Sequence, residues 1–397
     1  MYSVRNISDD LVYIGCDDRR CGIFEGVYSV PRGMSYNSYV LNDEKKVIFD
    51  TADKAVTEKY IENVIHALNG SKPDYIAVTH AEPDHSASLA ALLRLYPDTE
   101  VICSAKAAAV IGQFYGGNIR FKTVADNEVV SMGRHSLRFI SAPMVHWPEV
   151  MVIYDETDKT LFSADAFGSF GALSGALFAD EVDFSRDILS EARRYYCNIV
   201  GKYGLQVQSL LKKASALEIN TICPLHGHVW RRDIDTIIEK YSRWSSYEPE
   251  DKEVLIAYAS VYGNTENAAE ILSRMLFERG VKAVMRDVSV DSNDIFIAEA
   301  FRCAALVFAA PTYNAGIFVR MEEVLRDIAA HGIRKRSCAL IENGSWAPVS
   351  AKQMTDILSS CKEMTFTGTV TLKSALTEAQ LAELEKLADD IVASLKE

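Results

Sequence analysis

The sequence predicts a two-domain chain of mixed α/β and α+β class. Residues 1–249 form a layered sandwich of strands and helices, and residues 253–397 form a doubly wound parallel α/β sheet. Three observations carry this. At 397 residues the chain is too long for one ordinary core. Short strand-like runs crowd the first 250 residues, whereas strand and helix alternate strictly after residue 253. Between them lies Trp244–Lys252, a polar, proline-bearing break that marks the boundary.

In the first part, Leu11–Gly15, Ser38–Leu41 and Lys46–Asp50 are rich in β-branched and aromatic residues, with Gly, Asn and Asp between them. A helix is predicted over 55–69, ended by Gly70. The strand Tyr75–Thr79 follows, then a polar turn and a helical pattern over Ser86–Leu95. Further strands are expected at Val101–Ser104, Leu137–Ser141, Met151–Tyr154, Thr160–Ser163 and Thr221–Cys223, with helices filling 186–216. In the second part the strands are Val254–Ala259, Ala283–Asp287, Ala305–Ala309, Cys338–Glu342 and Thr365–Val370. Helices are expected at 265–279, 292–301 and 319–331. A last helix is marked by the capping pair Thr377 and Gln380 and an apolar stripe of Leu381, Leu384, Leu387, Ile391 and Leu395.

Composition removes several classes of function. The net charge of −13 argues against a phosphate-backbone partner, so no nucleic acid is expected. No apolar run reaches the roughly 18–20 residues that span a bilayer, so no membrane partner is expected. The start Met1–Asn6 lacks a signal peptide's basic and apolar regions, which predicts a cytoplasmic protein. The eight cysteines include no Cys-x-x-Cys pair, which excludes a built-in rubredoxin or thioredoxin-type centre and leaves them as small buried hydrophobes.

The densest chemistry is Thr79-His80-Ala81-Glu82-Pro83-Asp84-His85, four potential ligands in six residues just beyond a strand. One such loop could face two sites, with His80 and Glu82 towards one and Asp84 and His85 towards the other. Three more candidates also follow strands: His146, Asp165 and His226. Ligands on strand-end loops converge at one edge of a sheet. His66, His135, His228 and His331 lack this setting and read as structural or solvated. Tyr195 and Tyr196 are candidates for lining the pocket.

This pattern resembles the metallo-β-lactamase fold family, an αββα sandwich whose loop reads His-x-His-x-Asp-His. The departure is Glu82, where the hydrolases carry histidine. The departure is similar to the flavodiiron proteins (A-type flavoproteins), whose loop reads His-x-Glu-x-Asp-His. A carboxylate is a harder, anionic ligand that suits iron over zinc. By resemblance, one iron would be held by His80, Glu82 and His146, the other by Asp84, His85 and His226, with Asp165 bridging.

A second constellation lies in the second part. Ser260-Val261-Tyr262-Gly263-Asn264-Thr265 joins its first strand to its first helix, where hydroxyls, a tight glycine turn and a helix amino terminus suit the phosphate of FMN. Pro311-Thr312-Tyr313-Asn314 and Asn343-Gly344-Ser345-Trp346 follow the third and fourth strands, at the carboxyl edge where such sheets bind ligands. Trp346 suits stacking on an isoalloxazine ring. The first loop resembles the phosphate turn of flavodoxins, and the flavodiiron resemblance then covers essentially the whole chain. It implies phosphate contacts from Ser260, Tyr262, Gly263, Asn264 and Thr265, and ring and ribityl contacts from the other eight residues.

The resemblance implies FMN and two non-haem irons as cofactors. The expected activity is reduction of dioxygen to water, of nitric oxide to nitrous oxide, or both, with a rubredoxin-like electron donor. It also implies a head-to-tail homodimer, or a dimer of dimers, that sets the FMN of one copy beside the irons of the other. The rival reading is a zinc-dependent hydrolase of the metallo-β-lactamase fold fused to a flavodoxin domain.

Overall fold

The structure, a computed structural model, describes residues 1–396. It divides into two compact units, Met1–Ser242 and a second from Arg243 onward. The division falls inside the helix Ile234–Ser245, slightly before the polar break read from the sequence. Beyond Ser242, Trp244 donates its indole N–H to Glu250 at 2.7 Å, and the buried Arg336 donates to the Tyr247 carbonyl at 2.7 Å. These bonds fasten the segment to the second unit. No helix among the described residues is long and apolar enough to cross a membrane.

The first unit is built on two sheets. The seven-stranded sheet comprises β1 (Arg5–Asn6), β2 (Leu11–Tyr13), β3 (Tyr39–Leu41), β4 (Val47–Phe49), β5 (Tyr75–Ala77), β6 (Glu100–Ser104) and β7 (Phe121–Val124), adjacent in that order. Its first four strands pair antiparallel, and β4 to β7 pair parallel. Parallel pairing needs crossovers, which α1 (Thr57–Leu68) supplies between β4 and β5, α2 (Leu89–Leu95) between β5 and β6, and α3 (Ala105–Tyr115) between β6 and β7. Helix α1 ends where Asn69 turns left-handed at φ 46° and Gly70 follows at 83°. The pattern read as one helix over 86–95 splits into a turn, Pro83–Ser86, and α2, because the Ser88 N–H bonds the Ala52 carbonyl at 3.2 Å.

The five-stranded sheet comprises β8 (Glu128–Ser131), β9 (Ser136–Ser141), β10 (Met151–Asp155), β11 (Thr160–Phe162) and β12 (Thr221–Cys223), again in sequence order. Between β11 and β12 run α4 (Leu189–Tyr195) and α5 (Gly204–Ala214). Alternate residues of both sheets, among them Tyr39, Leu41, Val47, Phe49, Leu137, Phe139, Ile153 and Phe162, form one core. The intervening Val40, Ile48 and Ile76 are also buried, so these strands are apolar on both faces.

The second unit carries β13 (Asp251–Tyr258), α6 (Asn264–Glu278), β14 (Ala283–Asp287), α7 (Asn293–Arg302), β15 (Cys303–Tyr313), α8 (Val319–Ala330), β16 (Arg336–Asn343), α9 (Ser350–Leu358), β17 (Met364–Leu372) and α10 (Glu378–Ser394). The order β14-β13-β15-β16-β17, all parallel, is that of a flavodoxin-like sheet. Helix α10 starts as its capping residues foretell, the Gln380 side chain accepting the Thr377 N–H at 3.0 Å.

At the end of β9 away from the ligand loops, a charge cluster ties the first unit together. His135, 1% exposed at its side chain, faces Asp155 through Nδ1 at 2.7 Å and Asp10 through Nε2 at 2.9 Å. Arg134 bridges Asp10 and Asp158 at 2.8 and 2.9 Å, and Asp43 accepts the His135 N–H at 2.7 Å. Burial opposes a charge on His135, but the two carboxylates outweigh it and raise its pKa above 6.5. Burial also opposes charge on Asp10, yet hydrogen bonds from His135 and Arg134 hold it down at about 2. A group raised on folding stabilises fully below its unfolded value and loses that contribution as pH rises through its folded value. The free energy of unfolding should therefore fall as pH climbs above 6.5 and through the raised His135 value. Chemical denaturation at several pH values should show a steeper decline in the parent chain than in His135→Gln.

Candidate functional site

The seven candidate ligands converge at one edge of the first unit, each carried there by a strand end. His80, Glu82, Asp84 and His85 follow β5, His146 follows β9, Asp165 follows β11 and His226 follows β12. In one cluster, His146 Nε2 lies 2.9 Å from Glu82 Oε2 and 2.9 Å from Asp165 Oδ2. His80 Nε2 lies 3.5 and 3.4 Å from the same two oxygens. In the other, Asp84 Oδ2 lies 3.1 Å from His85 Nε2 and 3.2 Å from His226 Nε2. Asp165 Oδ1 completes that set, 3.3 Å from His85 and 4.0 Å from His226. One carboxylate thus gives one oxygen to each cluster.

These spacings are those of a coordination shell. An ion bonded at about 2.1 Å sets ligand atoms about 3.0 Å apart at a right angle and about 3.4 Å apart at the tetrahedral angle. His80 Nε2, His146 Nε2, Asp84 Oδ1 and Asp165 Oδ1 are buried with no hydrogen-bond partner among the described residues. Such atoms are costly unless a cation meets them. The residues present therefore fit a pair of metal ions.

The electrostatics agree. Burial opposes charge on the imidazoles, but Asp165 outweighs it at His80, which is raised. Asp84 does the same at His85, and Asp165 with Glu82 at His146, both pushed up to about 10. The imidazoles in turn hold Asp84 and Asp165 below the usual carboxylate range against the effect of burial. Glu82 is lowered in the same way, by His146 and His80. Binding of cations by these groups would release the protons that the apo cluster holds.

Backbone bonds fix the loops. The His226 Nδ1–H donates to the Ser35 carbonyl at 2.6 Å, which turns Nε2 towards Asp84 and the cluster. Asn37 donates to the Pro224 and Gly227 carbonyls at 2.9 and 2.8 Å, and Tyr39 to Pro224 at 2.6 Å. Gly227 sits at φ 73°, and a Cβ there would meet Ser169 Oγ at 2.2 Å, so no larger residue fits. Asp50, fully buried and pushed up to about 6 chiefly by that burial, accepts the Thr79 N–H at 2.8 Å. Glu149 accepts the Ala81 N–H at 3.1 Å. Sequence reasoning missed Ser35, Asp50 and Glu149. Asp50 alone carried a signal, an acid at the end of an apolar strand.

Aromatic rings close the site. Phe24, on the hairpin Ile23–Phe24/Tyr28–Ser29, meets the His226 ring at 5.6 Å, and Tyr195 meets it at 5.4 Å. Tyr196 instead packs on Tyr241 at 4.9 Å, so only Tyr195 of that pair faces the ligands. Of the other histidines, His66 stacks on Tyr2, His135 belongs to the charge cluster and His331 bonds Asp327 at a helix end. Burial holds His228 down at about 4, and it joins neither ligand set.

In the second unit the three predicted loops lie at the carboxyl ends of β13, β15 and β16, neighbours in the sheet. Gly263, at φ 85°, precedes α6 with no side-chain cap, so the N–H groups of Asn264 and Thr265 are left for an anion. Ser260 Oγ accepts the Gly263 N–H at 3.0 Å and shapes the turn. Pro311, Thr312 and Tyr313 extend β15, and Asn314 turns left-handed at φ 50°. Thr312 Oγ1 accepts the Val349 N–H at 2.9 Å, so its hydroxyl caps α9. Asn343 bonds Ser374 in both directions, and Ser345 bonds the Ser374 hydroxyl at 2.7 Å, which adds a fourth loop that the sequence did not suggest. Beside Gly344, Trp346 is 92% exposed, and Tyr262 is 91% exposed. Two large aromatic faces left in solvent at one sheet edge suit a flat ligand.

Comparison with known proteins decides the family. A family model described as "ODP family beta lactamase" matches residues 34–227. The chain is 32% identical to a nitric oxide reductase of Moorella thermoacetica, over 90% of each chain. The chain belongs to the flavodiiron protein family. It is 30% identical to an anaerobic nitric oxide reductase flavorubredoxin of Vibrio vulnificus, over 86% of this chain and 70% of that one. The flavodiiron protein of Giardia intestinalis superposes with a TM-score of 0.92 at 25% identity, covering 100% of this chain and 98% of that one. Rubredoxin oxygen:oxidoreductase of Desulfovibrio gigas superposes with a TM-score of 0.94 at 25% identity, covering 99% of each.

Because Asp165 serves both clusters, Asp165→Ala should weaken both ions together. His226→Ala should weaken one, by at least the roughly 10–100-fold known for outer-shell losses. Metal titration followed by calorimetry distinguishes the two patterns.

Proposed function

We propose that the chain is a flavodiiron oxidoreductase that reduces dioxygen to water, nitric oxide to nitrous oxide, or both, taking electrons through FMN from a rubredoxin-like donor. The observation that carries the reading is Asp165, one carboxylate shared between two compact ligand sets, with Glu82 completing the first. Relatives named for nitric oxide and for oxygen both superpose or align along the chain.

In this reading His80, Glu82 and His146 hold one iron, Asp84, His85 and His226 the other, and Asp165 both. Ser260, Tyr262, Gly263, Asn264 and Thr265 hold the FMN phosphate. Pro311, Thr312, Tyr313, Asn314, Asn343, Gly344, Ser345 and Trp346 border its ring and ribityl chain. When bound, FMN and the iron pair supply one-electron transfer and a place for the oxidant. The chain's own groups do the rest. Glu82, Asp84 and Asp165 offset the metal charge, the histidines fix the directions of approach, and Phe24 and Tyr195 keep bulk water from the ligands.

We further place two copies head to tail, as a homodimer or a dimer of dimers, so that the flavin edge of one faces the metal cluster of its partner. Exposed Trp346 and Tyr262 on one edge, and exposed Ile23 and Val27 on the hairpin beside His226, are apolar surface that such a pairing would cover. A cytoplasmic setting suits the eight free thiols.

The deciding experiment measures oxygen and nitric oxide consumption by one iron-loaded, FMN-replete preparation supplied with reduced rubredoxin. Turnover of at least one gas is expected, lowered by about 100-fold or more in Glu82→Ala and lost on flavin removal and on dilution to monomers. No consumption of either gas by the loaded protein, with zinc preferred over iron, would turn the reading to a hydrolase. Full turnover by a strict monomer would overturn the pairing. Trp346→Ala should weaken FMN by roughly 3- to 10-fold and brighten its fluorescence, since one stacking face is removed.

A further inference from the structure

Glu149 lies three residues beyond His146 and is 3% exposed. Its Oε1 accepts the N–H of Ala81, the residue between His80 and Glu82. The same joint holds a second bond, from the Met151 N–H to the Thr79 carbonyl at 2.9 Å. The Glu149 carbonyl accepts the Ser104 hydroxyl at 3.1 Å, and Ser104 also caps α3 by accepting the Ala107 N–H at 3.0 Å. The loop that carries His146 is thus pinned to the seven-stranded sheet. Its Glu149 side chain in turn pins the loop that carries His80 and Glu82.

The second oxygen of Glu149, Oε2, is buried with no hydrogen-bond partner among the described residues. A buried carboxylate is expensive, and one neutral N–H offsets little of the cost. A cation held by His80, Glu82 and His146, the ligands of the stretch that Glu149 braces, would offset part of the remainder. The stretch has a matching brace on its other side, where Asp50 Oδ1 accepts the Thr79 N–H. The two braces differ in reach. Next to Asp50, both the N–H and the hydroxyl of Thr51 donate to the His85 carbonyl at 2.8 Å, so that strand end also serves the second ligand set. The Glu149 side chain instead bonds the stretch between His80 and Glu82, and it rides on the loop of His146.

We infer that Glu149 is a positioning residue for one of the two irons, the one held by His80, Glu82 and His146, and that it leaves the other set of ligands in place. This rests on the two-iron reading above. It makes the two ions unequal in their dependence on a residue that ligates neither.

The test uses the full chain, FMN-replete and reconstituted with iron-57, as parent, Glu149→Gln and Glu149→Ala, read by iron-to-FMN ratio and Mössbauer spectrum. The parent should hold two irons per FMN. Glu149→Gln keeps an acceptor for the Ala81 N–H and should hold both. Glu149→Ala should fall towards one iron per FMN, with the signal of one site lost and its affinity lowered about 10–100-fold. If the alanine variant does not fold, Glu149→Met fills the same space without an acceptor and reads the same contrast. Loss of both irons together, retention of both with an unchanged spectrum, or failure of both Ala and Met variants to fold while Gln folds would overturn the inference. A parent chain that holds zinc, or fewer than two irons, would overturn the two-iron reading instead.

Discussion

Three carboxylates and four imidazoles meet in one buried place, and the charge they carry is the constraint that the surrounding elements answer. Without cations the imidazoles are driven towards protonation, as the raised values of His85 and His146 record. Asp165 turns one oxygen towards each cluster, and in the proposed reading the same carboxylates would serve as ligands. Holding seven such groups within bonding distance requires rigid supports. The strands supply them: four loops at one edge, braced by Asp50, Glu149 and the Ser35–Tyr39 segment.

That edge was legible because polar ligands interrupt apolar strand runs at His80, His146, Asp165 and His226. The two-site division of His80–His85 was legible from spacing, and the pairing of each half with a later loop came by resemblance. What escaped was support at long range. The Ser35 carbonyl is a backbone group with no sequence signature, and Glu149 reads as one more acid in a loop. The helix Ser350–Leu358 was also unread, because its amino terminus is capped by Thr312, far back in the chain, rather than by a local residue. Helix Ala105–Tyr115 buries only Ala107 and Ile111, a stripe too narrow to stand out from its alanines.

The flavodoxin-like unit applies a different economy. Its central strands are apolar on both faces, and polar chemistry is confined to loops at one edge. There the hydroxyls and amides brace one another across four loops, as with Asn343 and Ser374, while two aromatic faces stay in solvent. Away from that edge, Arg336 anchors the segment near Tyr247 by donating to the carbonyls of Tyr247, Ala300 and Phe301. A guanidinium does not titrate in the physiological range, so this anchor holds where the His135 cluster weakens.

The strands of both sheets in the first unit lie side by side in the order in which they occur in the chain. As the polypeptide leaves the ribosome, every residue of one ligand set has emerged once Asp165 has. The other waits for His226, whose loop must then find Ser35 and Asn37 across nearly the full length of the unit. Closure over that separation is the slow, non-local kind. Biosynthesis therefore sets an order on the two ligand sets: every residue of the first has been made before the last residue of the second.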